Sequence, residues 1–232
     1  MSSATNNTDD AEMEHSKTNF FSTLQYSLAD NVLTLYQDNL VKHLLTVLRS
    51  DETERAHFKF CADRLIRLVV EQGLNQLNYV PKTIITPTGG EYYGLDWVRG
   101  HCGISILPAG EAMEKGLRDC CRSIRIGKIL MEGDSSCESA IKLIYAKLPS
   151  DVSKRRVLLL YPIIVSGWIV SNATDVFREY GICDENVLLL NLFATPDGIK
   201  RVTTTFPRMK LVCAEIHPTA PIHFSKMYFG FE

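Results

Sequence analysis

The stretch Val157-Leu-Leu-Leu-Tyr-Pro-Ile-Ile-Val-Ser-Gly-Trp-Ile169 constrains the fold of this chain more than any other. Its leading residues form a near-continuous apolar block, as in a strand covered on both faces inside a parallel sheet. Ser166 and Gly167 then make a short loop, and a helix begins. Such a strand–loop–helix unit points backbone N–H groups and a helix N-terminus at one anion. Ser166 and Gly167 suit a phosphate, whereas Trp168 and Ile169 occupy places where small or hydroxyl-bearing side chains are expected.

The same alternation runs from residue 102 onward. Strands are predicted at Gly103–Leu107, Ile126–Met131, Val157–Ile164, Val187–Phe193 and Leu211–Ile216, and helices at Glu111–Ser123, Ile169–Tyr180 and Pro196–Phe206. This rhythm predicts an α/β fold, a mostly parallel sheet with helices on both faces. Ahead of it, Asp30 to Arg49 shows apolar residues at helical spacing, interrupted near Asp38-Asn39. A second helix is predicted from about Thr53 to Leu74, with Gly73 as its stop signal. Between Lys82 and Trp97 the period changes to that of a hairpin turning at Gly89-Gly90, with Pro87 at an edge position. In such sheets ligands sit beyond the carboxyl ends of the strands. Two loops therefore matter most: Pro108-Ala109-Gly110 and Val165-Ser166-Gly167.

Composition narrows the classes of function. With 232 residues, 45% apolar and 22% charged, the chain fits a single α/β domain over residues 19–232. Residues 1–18, rich in Ser, Thr, Asn and acidic side chains, read as a disordered polar tail. A net charge of -2 gives no electrostatic ground for a nucleic-acid or membrane partner. No apolar run reaches the roughly 20 residues of a bilayer span, and the tail lacks the order of a signal peptide. Seven cysteines at scattered spacings, with no C-x-x-C, point to reduced thiols in a reducing compartment; the cytoplasm is the expected address, and nothing in the sequence excludes the nucleus.

Four strings then resemble the uracil phosphoribosyltransferase family, its animal homologues above all. They are Ala62-Asp-Arg-Leu-Ile-Arg-Leu-Val-Val-Glu71, the run from Gly110 to Lys128, Ala214-Glu-Ile-His-Pro218 and Tyr228-Phe-Gly230. The resemblance extends from about Ala56 to Glu232. It implies a type I phosphoribosyltransferase fold with N-terminal helices and a β-hairpin arm, assembled as a homodimer or homotetramer. It also implies nucleotide and sugar-phosphate ligands. The reaction would join uracil to phosphoribosyl diphosphate, with Mg²⁺, giving UMP and pyrophosphate in pyrimidine salvage.

Carried over residue by residue, the phosphoribosyl diphosphate positions are Pro108, Ala109, Gly110, Tyr161, Val165, Ser166, Gly167, Trp168 and Ile169. Several depart from the family pattern. Tyr161 replaces an acid, Trp168 a glycine and Ile169 a hydroxyl residue, the last removing a hydrogen bond to charge of about 1.5–3 kcal/mol. Pro108 replaces an arginine whose fork would pair with the diphosphate. The segment Met131-Glu-Gly-Asp-Ser-Ser-Cys137 contributes Glu132 and Asp134 instead of an arginine. His217 to Lys226 lacks the glycine-rich loop that reads uracil, so no uracil contact carries over. These departures imply catalysis that is weak or lost; a non-catalytic nucleotide-binding or scaffold protein on the same fold is the alternative. Arg55 and Arg64 are candidates for an allosteric nucleotide such as GTP. Glu114 with Arg118, and Asp119 with Arg122, read as ion pairs on a solvated helix face. His217 and His223 lack a third ligand, and no metal site is expected.

Overall fold

The computed structural model describes residues 30–133 and 141–230. The polar tail, Asp134 and Cys137 lie outside them.

The apolar block does form a strand inside a parallel sheet. That sheet contains β1 (Val32–Thr34), β4 (His101–Leu107), β5 (Ile126–Glu132), β6 (Lys142–Lys147), β7 (Arg156–Leu160), β8 (Ile163–Ile164), β9 (Val187–Ala194) and β10 (Lys210–Ile216). Its order is β1-β10-β9-β7-β4-β5-β6, with β8 also paired to β9. Every pairing is parallel except β5 with β6. Alternate side chains of one strand feed two separate cores, as the period of 2 requires. Leu158, Leu160, Leu188 and Leu190 join one cluster. Val157, Leu159, Val187 and Leu189 join the other.

Helices close both faces. The first is covered by α1 (Asn39–Arg49), α2 (Arg55–Leu74), α3 (Glu111–Cys120) and α7 (Phe224–Phe229). Asp38 caps α1 by accepting from the Val41 N–H at 2.8 Å. The face of α2 carrying Phe58, Ala62, Leu65, Ile66 and Val69 is fully buried, each large side chain contributing about 1.5–3 kcal/mol. The opposite face is covered by α4 (Trp168–Ser171), α5 (Ala173–Glu179) and α6 (Pro196–Thr205), through residues such as Val170, Phe177 and Ile199. β2 (Tyr79–Ile85) and β3 (Glu91–Trp97) form a separate antiparallel hairpin. Gly89 takes a positive φ of 84° in its turn, and Pro87 lies in that turn.

Several elements differ from the expectations above. Residues 32–34 form β1 rather than helix: their backbone pairs in parallel with β10, a long-range partner that local spacing does not reveal. The strand expected over 157–164 divides at Tyr161-Pro162, where the Pro162 carbonyl accepts from both Leu192 N and Phe193 N at 3.0 Å. The helix expected over 169–180 starts one residue earlier and divides at Asn172. The helix from Glu111 stops at Cys120, ahead of Ser123 at φ 66°. The His217–Lys226 segment is not wholly a loop: α7 begins at Phe224, inside it.

Candidate functional site at the carboxyl edge

β4 and β7 are parallel neighbours in register, with Ser105 beside Leu160, so the loops that follow them emerge side by side. The first, Pro108-Ala109-Gly110, follows a cis Leu107–Pro108 bond. It folds back tightly, and Gly110 N donates to Ile106 O at 2.8 Å. A Cβ on Gly110 would lie 2.5 Å from the Leu160 carbonyl oxygen and 2.6 Å from that of Ile106. Glycine there lets the first loop press against the end of β7. Pro108 is exposed, Ala109 half-buried and Gly110 buried.

The second loop is built against α6. Gly167 has φ 80°, and a Cβ on it would lie 2.7 Å from Gly198 O. Thr195 caps α6 by accepting from Gly198 N at 3.1 Å and donates to Val165 O at 2.5 Å. Arg201 of α6 donates to Ser166 O at 2.7 Å, and its guanidinium carbon lies 3.6 Å from the centre of the Trp168 ring. A cation therefore does reach this loop, but a carbonyl and an aromatic face hold it. Trp168 is drawn to the α6 side by that stacking. Ile169 packs with the apolar core of the same face.

Tyr161 also packs with that core. Burial pushes its phenol up to about 12, so at neutral pH it supplies no negative charge. Its carbonyl accepts from the buried Asn191 carboxamide at 2.9 Å. Lys128 on β5 stands beside Ser105 in register. Its ammonium lies 3.2 Å from Glu114 and 3.5 Å from Glu111. Burial alone would lower the lysine; these carboxylates outweigh it and hold it above its ordinary value.

The structure brings together the 108–110 and 161–169 positions, while Arg55 and Arg64 lie apart from them. Arg55 donates to the carbonyls of Met227 and Phe229 at the end of α7. Arg64 lies over Phe60, 5.8 Å from its ring centre. Nine residues apart on one helix, the two arginines point about 180° apart. His217 Nδ1 accepts from Thr219 N at 3.1 Å, and His223 Nε2 lies 3.2 Å from Leu48 O. No group of three or more His, Cys, Asp or Glu suited to a metal is present among the described residues. Glu114 pairs with Arg118 at 3.3 Å, although its own side chain is only 6% exposed. Asp119 pairs with Lys115 at 2.8 Å and Arg67 at 3.8 Å instead of Arg122. Sequence reasoning missed Arg201, Thr195 and Asn191; Thr195-Pro196 after a strand is a capping signal that marked the second of these.

The uracil phosphoribosyltransferase family model matches residues 35–220. A uracil phosphoribosyltransferase homolog of Danio rerio is 46% identical over 96% of this chain and 85% of its own length. One from Bos taurus is 48% identical over 84% of this chain, which spans only 64% of that relative. A uracil phosphoribosyltransferase of Dictyostelium discoideum is 44% identical over 89% of this chain and 99% of its own. Among solved structures, adenine phosphoribosyltransferase from Trypanosoma brucei matches at TM-score 0.56, 12% identical, over 82% of this chain and 85% of that one. At that identity the likeness concerns the fold alone.

Proposed function

We propose, since this chain belongs to the uracil phosphoribosyltransferase family, that it keeps the type I phosphoribosyltransferase fold but carries out the family reaction weakly or not at all. That reaction would convert uracil and phosphoribosyl diphosphate to UMP and pyrophosphate. It demands positive charge where the diphosphate leaves, because an oxocarbenium-like centre forms as that anion departs. The observation that carries the reading is the use of the cations at this edge. Pro108 offers no charge, Lys128 is held by Glu111 and Glu114, and Arg201 is held by Ser166 and Trp168. The same observation favours a nucleotide-binding or scaffold role as the second reading.

Mg²⁺ belongs to this reading only as a companion of the diphosphate substrate. The 161–169 loop contains no carboxylate, and Tyr161 there is a half-buried neutral phenol, so the loop does not fit a protein-held ion. A homodimer or homotetramer is supported by the hairpin, which exposes Ile85, Tyr92, Tyr93 and Leu95. No helix of the described residues is long and apolar enough to cross a membrane. We place the protein in the cytoplasm or nucleus.

The test is turnover of labelled uracil with phosphoribosyl diphosphate and Mg²⁺. Enzymes commonly work at about 10 per second. The expected rate is at least about a thousandfold lower; a rate within an ordinary enzyme's range defeats the proposal.

A further inference from the structure

The starts of β4 and β7 lie at the far end of the sheet from the loops just described. Seven strand residues at about 3.3 Å each separate the two ends by roughly 20 Å. Here a cavity of about 250 Å³ opens between the hairpin base, the first residues of β4 and β7, and the turn that precedes β7. Its walls include Arg99, His101, Lys154, Arg155, Arg156 and Asn186, and among the described residues no aspartate or glutamate lines it.

In a chain of net charge -2 this concentration of cations is not background. Arg155 is already engaged: Nε and Nη2 meet the two carboxylate oxygens of Asp151 at 2.7 and 2.5 Å, and Nη1 donates to His101 O at 3.3 Å. Asp151 also faces Arg125 at 3.9 Å. Arg99, Lys154 and Arg156 form no ion pair among the described residues. Nε of Arg156 is shut off from solvent and has no hydrogen-bond partner among the described residues, an unsatisfied donor that costs stability. Burial, then Arg156 and Arg155, hold the His101 imidazole below its ordinary value, leaving it a neutral donor or acceptor.

Size selects among anions. The cavity is smaller than the roughly 300–1,000 Å³ that encloses a drug-sized ligand. It takes a chain of phosphates but not a sugar and base as well. We infer that this cavity binds a polyphosphate-type oxyanion, either free or as the tail of a larger phosphate ester whose remainder stays outside. Unpaired guanidinium and ammonium groups converging on one small space are the chemistry that recognises such an anion. The site is distinct from the carboxyl-edge loops and independent of whether those loops catalyse anything.

Titration calorimetry of the whole chain with inorganic triphosphate, and in parallel with ATP, tests this. One equivalent should bind, and Arg99→Ala with Lys154→Ala, both at exposed positions, should weaken it at least tenfold. Arg156→Gln is a second variant with the same expected direction, and Arg178→Ala, on α5, should change nothing. Trp97 lies 5.6 Å from His101 between ring centres, so its fluorescence in a Trp168→Phe background should respond to saturation. Equal affinity for triphosphate and ATP marks a site that reads phosphate alone; at least tenfold tighter ATP binding marks the tail of an ester. Absence of binding to the unaltered chain overturns the inference, as does binding that both pocket variants leave unchanged.

Discussion

The two ends of β4 and β7 make opposite use of charge. At their carboxyl ends, where this fold places ligands, two cations are tied: Lys128 by two carboxylates and Arg201 by a carbonyl and an indole. At their amino ends, Arg99, Lys154 and Arg156 surround a cavity without an ion pair among the described residues. Parallel strands deliver residues equally well to both ends. A family's architecture can therefore stay in place while its free positive charge lies at the other end of the sheet.

Three variants test that contrast, in falling order of effect. Gly110→Ala should be the most damaging. The added Cβ meets backbone oxygens at 2.5 and 2.6 Å, which no rotamer change relieves. A loss on the order of 3 kcal/mol in denaturant unfolding is expected, and a loss under about 1 kcal/mol would mean the carboxyl edge is looser than described.

Restoring charge comes next. Pro108→Arg with Trp168→Gly supplies a diphosphate partner and removes the ring that occupies Arg201. Affinity for phosphoribosyl diphosphate should rise about tenfold or more, as one charge-assisted hydrogen bond of about 1.5–3 kcal/mol allows. Calorimetry showing no gain would place the site elsewhere.

The smallest effect belongs to the amino end. His101 is held below its ordinary value by burial and by Arg156 and Arg155, so the unfolded chain takes up its proton first. Stability from the neutral ring is present above the unfolded value of about 6.5 and is lost as pH falls through the lower folded value. His101→Asn should flatten stability against pH below about 6.5. An unchanged slope would show that this imidazole titrates freely in the folded chain.

Legibility in the sequence followed the range of the interactions involved. The block 157–164 announced a doubly covered strand because strand periodicity is local, and Leu158 and Leu159 indeed serve opposite cores. The replacements at Pro108, Tyr161, Trp168 and Ile169 were visible only against the pattern of the family that the chain resembles. β1 was not, since three residues compatible with a helix became a strand only by pairing with β10. Arg201 looked like any helix arginine. Its role depends on α6 passing beside a loop 35 positions earlier in the chain.

By itself, then, the order of residues determined the α/β class, the position of both carboxyl-edge loops and which charges were absent from them. The tertiary structure alone decided where the remaining charges went. Ion pairs such as Lys128 with Glu111, and unsatisfied groups such as Nε of Arg156, arise from segments far apart in sequence that packing brings together. Electrostatic energy depends on those final distances and on burial, and neither is written in local spacing.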